Sequence, residues 1–125
     1  MNFPADVKYS KDHTWLKVEG ETGIIGITEF AQSELGEIVY LDLPAIGKNF
    51  QKDEVFGSVE AVKTTSDLFM PASGEVVAVN TVLKDKADLV NSDLFGEGWL
   101  IKIKLTSLQE TNALLNAAQY QAIVA

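Results

Sequence analysis

The hydrophobic pattern along the chain is mostly that of short strands. Trp15-Leu16-Lys17-Val18 and Ile24-Ile25-Gly26-Ile27 flank the turn-rich Glu19-Gly20-Glu21-Thr22-Gly23 and predict a hairpin. Ile38-Val39-Tyr40-Leu41-Asp42-Leu43 predicts a strand stopped by Pro44. Further strands are expected over Val55 to Val62, Leu68 to Met70 and Glu75 to Val79. From Trp99 to Leu105 the alternation is clean, with Trp99, Ile101, Ile103 and Leu105 on one face and Lys102 and Lys104 on the other. Two segments depart from this pattern. Thr28 to Gly36 predicts a short helix, capped by Thr28 and ended by Gly36. From Ser107 to about residue 123 a second helix is expected: Ser107 and Glu110 have capping-box spacing, and Leu108, Leu115, Ala118 and Ala122 fall on one face. The expectation is a mainly β body, a sandwich or barrel, with a short internal helix and a C-terminal helix.

At 125 residues the chain has the length of one domain, 1–125, and its 46% hydrophobic residues suffice for one core. Composition then removes whole classes of chemistry. All ten basic residues are lysine, so no guanidinium fork is present to clamp phosphate or carboxylate. A net charge of -8 repels nucleic acid and anionic membrane surfaces, and neither is an expected partner. Without cysteine there is no disulfide framework, thiolate metal site or cysteine nucleophile, and one histidine, His13, cannot build a multi-histidine metal site in one chain. The opening residues lack the charged and apolar regions of a signal peptide, and no apolar run approaches the roughly eighteen residues of a membrane span. A soluble protein of the bacterial cytoplasm is expected, or a mitochondrial one if a transit peptide was removed. Any chemistry is expected to come from a group attached to the chain.

The candidate sites differ in weight. Gly20, Gly23 and Gly26 have the spacing G-x-x-G-x-x-G, which is not a dinucleotide fingerprint, and read as turn and strand glycines. Ser10, Asp12 and His13 contain the residue types of a hydrolase triad but are crowded into four positions with no oxyanion motif, so a loop is the stronger reading. Glu60 and Asp67 read as solvated charge. Lys63 is different in context. Two strand-like runs surround it within a hairpin spanning about 55–80, and Val62-Lys63-Thr64 lacks the Asn-Gly or Asp-Gly of a tight hairpin. A tip at this point makes Lys63 the most protruding amine of the domain.

Val62-Lys63 followed by Pro71-Ala72-Ser73-Gly74 resembles the modified-lysine hairpin of lipoyl and biotinyl carrier domains. Biotin carriers have Met-Lys-Met, so Val62-Lys63-Thr64 favours lipoate. Gly26-Ile27-Thr28, Ala31-Gln32, Leu35-Gly36-Glu37-Ile38-Val39, Leu43-Pro44, Glu60-Ala61-Val62-Lys63, Ser66-Asp67 and Gly96-Glu97-Gly98-Trp99-Leu100-Ile101-Lys102-Ile103 together resemble the glycine cleavage H-protein family, from about Tyr9 to Tyr120. The resemblance implies a barrel-sandwich hybrid of antiparallel sheets. Of the internal repeat such domains carry, only Asp53-Glu54-Val55 against Asp88-Leu89-Val90 gives an echo. Two positions depart from the family: Thr14 stands where His-Glu-Trp has its carboxylate, and Phe30 where His is frequent.

The resemblance further implies a non-catalytic, monomeric shuttle. Lipoate would be amide-linked to Nζ of Lys63 by a lipoyl-transferring enzyme, with Glu60 and Gly74 as recognition features, giving an arm that reaches on the order of 12–14 Å. A pyridoxal-phosphate glycine decarboxylase would load an aminomethyl group, a tetrahydrofolate-dependent aminomethyltransferase would take it, and dihydrolipoamide dehydrogenase would reoxidise the arm. Asp67 would line a cleft sheltering the loaded arm. Alternatives are a relay that hands lipoate to other acceptors, an interaction domain with an unmodified lysine, and a hydrolase using Ser10 and His13.

Overall fold

The computed structural model describes residues 3–124. Its strands are β1 (Lys8–Tyr9), β2 (Thr14–Glu19), β3 (Thr22–Ile27), β4 (Ile38–Asp42), β5 (Asn49–Phe50), β6 (Val55–Ala61), β7 (Thr65–Phe69), β8 (Gly74–Val79) and β9 (Ile101–Leu105). All pairs are antiparallel. Six strands form one sheet in the order β1-β2-β3-β9-β8-β5, and β4-β6-β7 form the other. Leu16, Ile25 and Ile103 from the larger sheet meet Ile38, Leu41, Val59 and Leu68 from the smaller in one apolar cluster. Burial of each such side chain contributes roughly 1.5–3 kcal/mol. A second cluster, Val7, Tyr9, Trp15, Leu94 and Tyr120, lies beside it.

The predicted hairpin of β2 and β3 closes over Gly20-Glu21, with Glu19 opposite Thr22. Gly26 faces Trp15 across it, and a Cβ there would lie 2.5 Å from the indole ring, so the strand glycine makes room for the largest buried side chain. The first helix, α1 (Glu29–Leu35), has the expected ends: Thr28 Oγ1 accepts from the Ala31 N–H at 3.2 Å, and the Gly36 N–H donates to the Gln32 carbonyl at 2.8 Å. Gly36 takes φ 81°, ψ -143°, a backbone that favours glycine.

Three expectations need correction. The C-terminal segment is two pieces: a 3-10 helix over Leu108–Ala113 and α3 (Ala117–Val124). Between them Leu115 exchanges both backbone hydrogen bonds with Tyr9 at 2.8 Å, which forces extended chain where a continuous helix was expected. Ser107 makes no capping bond; Glu110 instead accepts from the N–H and hydroxyl of Ser73. The reciprocal capping box is Asn116 with Gln119 (2.8 and 2.9 Å), and α3 buries Tyr120 while Ala118 and Ala122 are exposed. At β9 the alternation starts only at Ile101. Trp99 packs on the second cluster under Lys102, whose Nζ is 4.9 Å from its ring centroid, and Leu100 enters the main core. Last, the two tripeptides of the repeat echo lead into unlike elements, since Val55 opens a strand whereas its counterpart Val90 lies in the short helix α2 (Leu89–Ser92).

Candidate functional site

The β6–β7 hairpin carries the candidate lysine. Its rungs are Gly57 with Leu68, Ser58 with Asp67, Val59 with Ser66 and Glu60 with Thr65. Val59, Ala61 and Leu68 face the core, while Glu60, Thr65 and Asp67 are exposed. Beyond the last rung the Ala61 N–H donates to the Thr64 carbonyl at 2.8 Å, which leaves Val62 and Lys63 as the two-residue turn. Neither has a positive φ, so the turn is not of the primed type and needs neither asparagine nor glycine. Lys63 and its neighbours Val62, Thr64, Thr65 and Ser66 are exposed, and among the described residues Lys63 has no ion-pair partner. The amine is free to be reached from outside.

The other sequence-derived residues spread along the hairpin. Glu60 stands beside the turn, opposite Thr65 on β7 and Tyr40 on β4. Asp67 lies further down, in a row with Ser58 and Asp42 across the three strands. That row borders a cavity of about 450 Å³ also lined by Pro44, Lys48 and Phe50. Asp42 is thus a second carboxylate that sequence reasoning passed over; its mark is the alternation of Leu41 inward and Asp42 outward. Gly74 is not near the tip. It starts β8 beyond the far end of β7, pairs with Phe50 and Leu105, and is buried. Ser73 beside it ties four segments together: its Oγ accepts from the Lys52 N–H, its N–H and Oγ bond Glu110, and its carbonyl accepts from the Thr106 N–H.

Ser10, Asp12 and His13 do not assemble a triad. Ser10 Oγ is 2.7 Å from Thr14 Oγ1, whereas His13 Nδ1 is 2.7 Å from Tyr120 Oη. Tyr120 Oη is also 2.7 Å from Thr28 Oγ1, so three segments meet at one phenol, which stacks on Tyr9 at 4.8 Å. Burial lowers the His13 pKa below 6.5, against the upward pull of Asp12 and Glu34, and pushes Tyr9 up to about 12. Below pH 6.5 the unfolded chain therefore binds a proton that folded His13 takes up only at lower pH. Stability contributed by His13 is complete above that pH and is lost as pH falls beneath it. The urea midpoint is expected to drop between about pH 7.5 and pH 5.5. His13→Asn, which tolerates the positive φ of 67° at this position, should flatten that drop; an equal drop in both proteins would assign it elsewhere. Thr14 is buried, and its hydroxyl donates to the Phe69 carbonyl of β7 at 3.4 Å. Phe30 lies against the His13 ring at 4.8 Å.

Comparison with known proteins decides the family. A family model described as glycine cleavage H-protein matches residues 7–125. The chain belongs to the glycine cleavage H-protein family. It is 53% identical over 121 residues to the glycine cleavage system H protein of Symbiobacterium thermophilum, covering 97% of this chain and 94% of that one. To the H protein of Bacteroides fragilis it is 48% identical over 124 residues, 99% and 98% of the two chains. The crystal structure of an H protein from Mycobacterium marinum superimposes with a TM-score of 0.89 at 35% identity, covering 97% and 98%. The fold is accordingly the lipoyl-domain-like barrel-sandwich expected from sequence. As an H-protein family member the chain is a lipoyl carrier of the glycine cleavage system with covalently attached lipoate, works with the other enzymes of that system, and is not catalytic by itself.

Proposed function

We propose that Lys63 is the residue to which lipoate is joined, and that residues 1–125 act as one carrier domain in the bacterial cytoplasm. The observation that carries this is the two-residue turn at the exposed end of a strand pair, where the Lys63 amine protrudes without an ion-pair partner among the described residues. An amide needs an unhindered primary amine, and this one fits. When attached, lipoate supplies a disulfide that can be opened, loaded and closed again.

The chain's own residues do the rest. The β4–β6–β7 ladder holds the base of the arm while its stem stands exposed to solvent. Glu60 presents a carboxylate beside the turn to the lipoyl-transferring enzyme, and Gly74 sets the packing at the hairpin's far end. Asp67, with Asp42 in the same row, offers negative charge to a cationic group on a returning arm. The absence of cysteine leaves no protein thiol to exchange with the disulfide. The partners of this reading are the pyridoxal-phosphate glycine decarboxylase, the aminomethyltransferase and dihydrolipoamide dehydrogenase, to which the net charge of -8 gives a common electrostatic lure that acts on encounter rates.

Intact-mass measurement on protein made in lipoate-producing cells tests the assignment. One lipoyl group per chain, mapped to the peptide containing Lys63 and absent from Lys63→Arg, is the expected result. An unmodified wild type, or a lipoyl group on another lysine, overturns it.

A further inference from the structure

The turn bearing Lys63 is held from one side by β4, and the hydrogen bonds show what holds β4. Ile38 and Ala61 face each other across the β4–β6 ladder. In this antiparallel pair the flanking bond is donated by the Val62 N–H to the Glu37 carbonyl at 3.1 Å. It is the rung nearest Lys63. In extended chain, successive peptide groups point to opposite sides. With the Glu37 carbonyl turned to Val62, the Gly36 carbonyl and the Ile38 N–H must point away from the hairpin, toward the open edge of β4. An open edge leaves such groups without strand partners.

One side chain satisfies both. Asn91 Oδ1 accepts from the Ile38 N–H at 2.9 Å, and Asn91 Nδ2 donates to the Gly36 carbonyl at 2.8 Å. A carboxamide carries a donor and an acceptor side by side, like a peptide group, so Asn91 acts as a one-residue strand on the outer edge. Its amide orientation is fixed by these partners, because the reverse would set like groups against each other. Asn91 itself sits on α2, anchored by the fully buried Val90 and by the Asp93 carboxylate, which accepts from the Glu97 N–H at 2.9 Å. The chain of support runs from the core through Val90 and Asn91, across Gly36–Ile38, to Val62 and the lysine.

We propose that Asn91 is a positioning residue for Lys63: by clamping Gly36 and Ile38 it fixes the Glu37 carbonyl, and through the Val62 rung it fixes the direction in which the lysine leaves the turn. The consequence for lipoylation rests on Lys63 being the attachment residue; the consequence for the turn does not. A transferring enzyme that must find one amine among ten lysines reads this direction, and a turn free to sway presents it for only part of the time.

Three readouts on the full chain test this. Asn91→Ala should accelerate hydrogen exchange at the Val62 amide by on the order of tenfold relative to the strand interior, as expected for loss of a constraint worth about one hydrogen bond. It should lower the lipoylation kcat/KM of the transferring enzyme by on the order of tenfold. Asn91→Asp keeps the acceptor for Ile38 but sets a carboxylate oxygen against the Gly36 carbonyl, and should match or exceed the effect of Asn91→Ala in both measurements. Val7→Ala serves as the matched control: Val7 is buried in the second cluster, away from α2 and from both clamp bonds, so its loss should lower Tm while leaving lipoylation close to wild type. If Asn91→Ala does not fold, Asn91→Asp against Val7→Ala decides. A folded Asn91 variant with wild-type Val62 exchange, or one whose lipoylation loss is matched by Val7→Ala at equal Tm, overturns the positioning role. A wild type that is never lipoylated in the same assay refutes the Lys63 assignment instead, and Val62 exchange still tests the clamp.

Discussion

Moving the lysine one place along the hairpin, by Lys63→Ala with Thr64→Lys, will nearly abolish lipoylation in a chain that still folds. The turn geometry gives the reason. Residue 64 lies opposite Ala61, joined to it by the Ala61 N–H to Thr64 carbonyl bond, and cross-strand neighbours share a face. Ala61 faces the core, so a side chain at 64 leaves toward the underside of the smaller sheet rather than off its end. The amine is then present, exposed and of ordinary chemistry, but in the wrong place. Loss on the order of a hundredfold in lipoylation rate is expected, the effect of a displacement of about an ångström or more on a positioned reaction. Thermal unfolding should be nearly unchanged, since neither residue is buried. Efficient lipoylation of this variant, measured by intact mass over time, would show that the transferring enzyme does not read the turn.

The second large effect is expected for Gly74→Val, and it differs in kind. A Cβ on Gly74 would lie 2.8 Å from the Lys104 carbonyl oxygen and 2.9 Å from Ile103 Cδ1. The oxygen belongs to the backbone of β9 and cannot turn aside, so β8 must move from its neighbour. Overpacking of this sort costs roughly 1–3 kcal/mol, or on the order of 5–10 °C in Tm for a chain of this size. Lipoylation should also slow, because β8 and Ser73 support the end of the hairpin opposite the lysine. Glu60→Ala supplies the contrast: it removes an exposed carboxylate beside the turn, and should slow lipoylation with Tm unchanged. Equal Tm values for Gly74→Val and wild type would remove the packing argument, whatever happens to the rate.

Strands with one face in the core were legible in the sequence, because burial marks every second residue. The hairpin of β2 and β3, the start of β4 and most of β9 are of this kind. β7 was seen only from Leu68 onward, although it begins at Thr65. It is an edge strand whose first three residues are all exposed, and backbone pairing to β6 leaves no hydrophobic mark on Thr65, Ser66 or Asp67. The C-terminal error has another cause. Ser107 and Glu110 satisfy a local rule, but a carboxylate that reaches the two donors of Ser73, 37 residues away, is no longer available to cap. Lys63 drew attention through the resemblance of its surroundings, since its spacing alone does not separate it from the other lysines. Asn91 was invisible for a related reason. Its partners lie 53 and 55 residues away, and a side chain that substitutes for a strand has no periodicity to betray it.

Because the Val62-Lys63 turn contains no residue at positive φ, the backbone there asks nothing particular of the side chain at position 63. Fold and cargo are separable at that point. What stands at the tip is set by the enzymes that must recognise it and can be exchanged without strain on the strands below. In a chain with no cysteine of its own, a thiol installed at position 63 would be unique. Synthetic arms of chosen length, charge or redox potential could be tethered there by simple alkylation, making the hairpin a general mount for swinging groups that nature never attached to it.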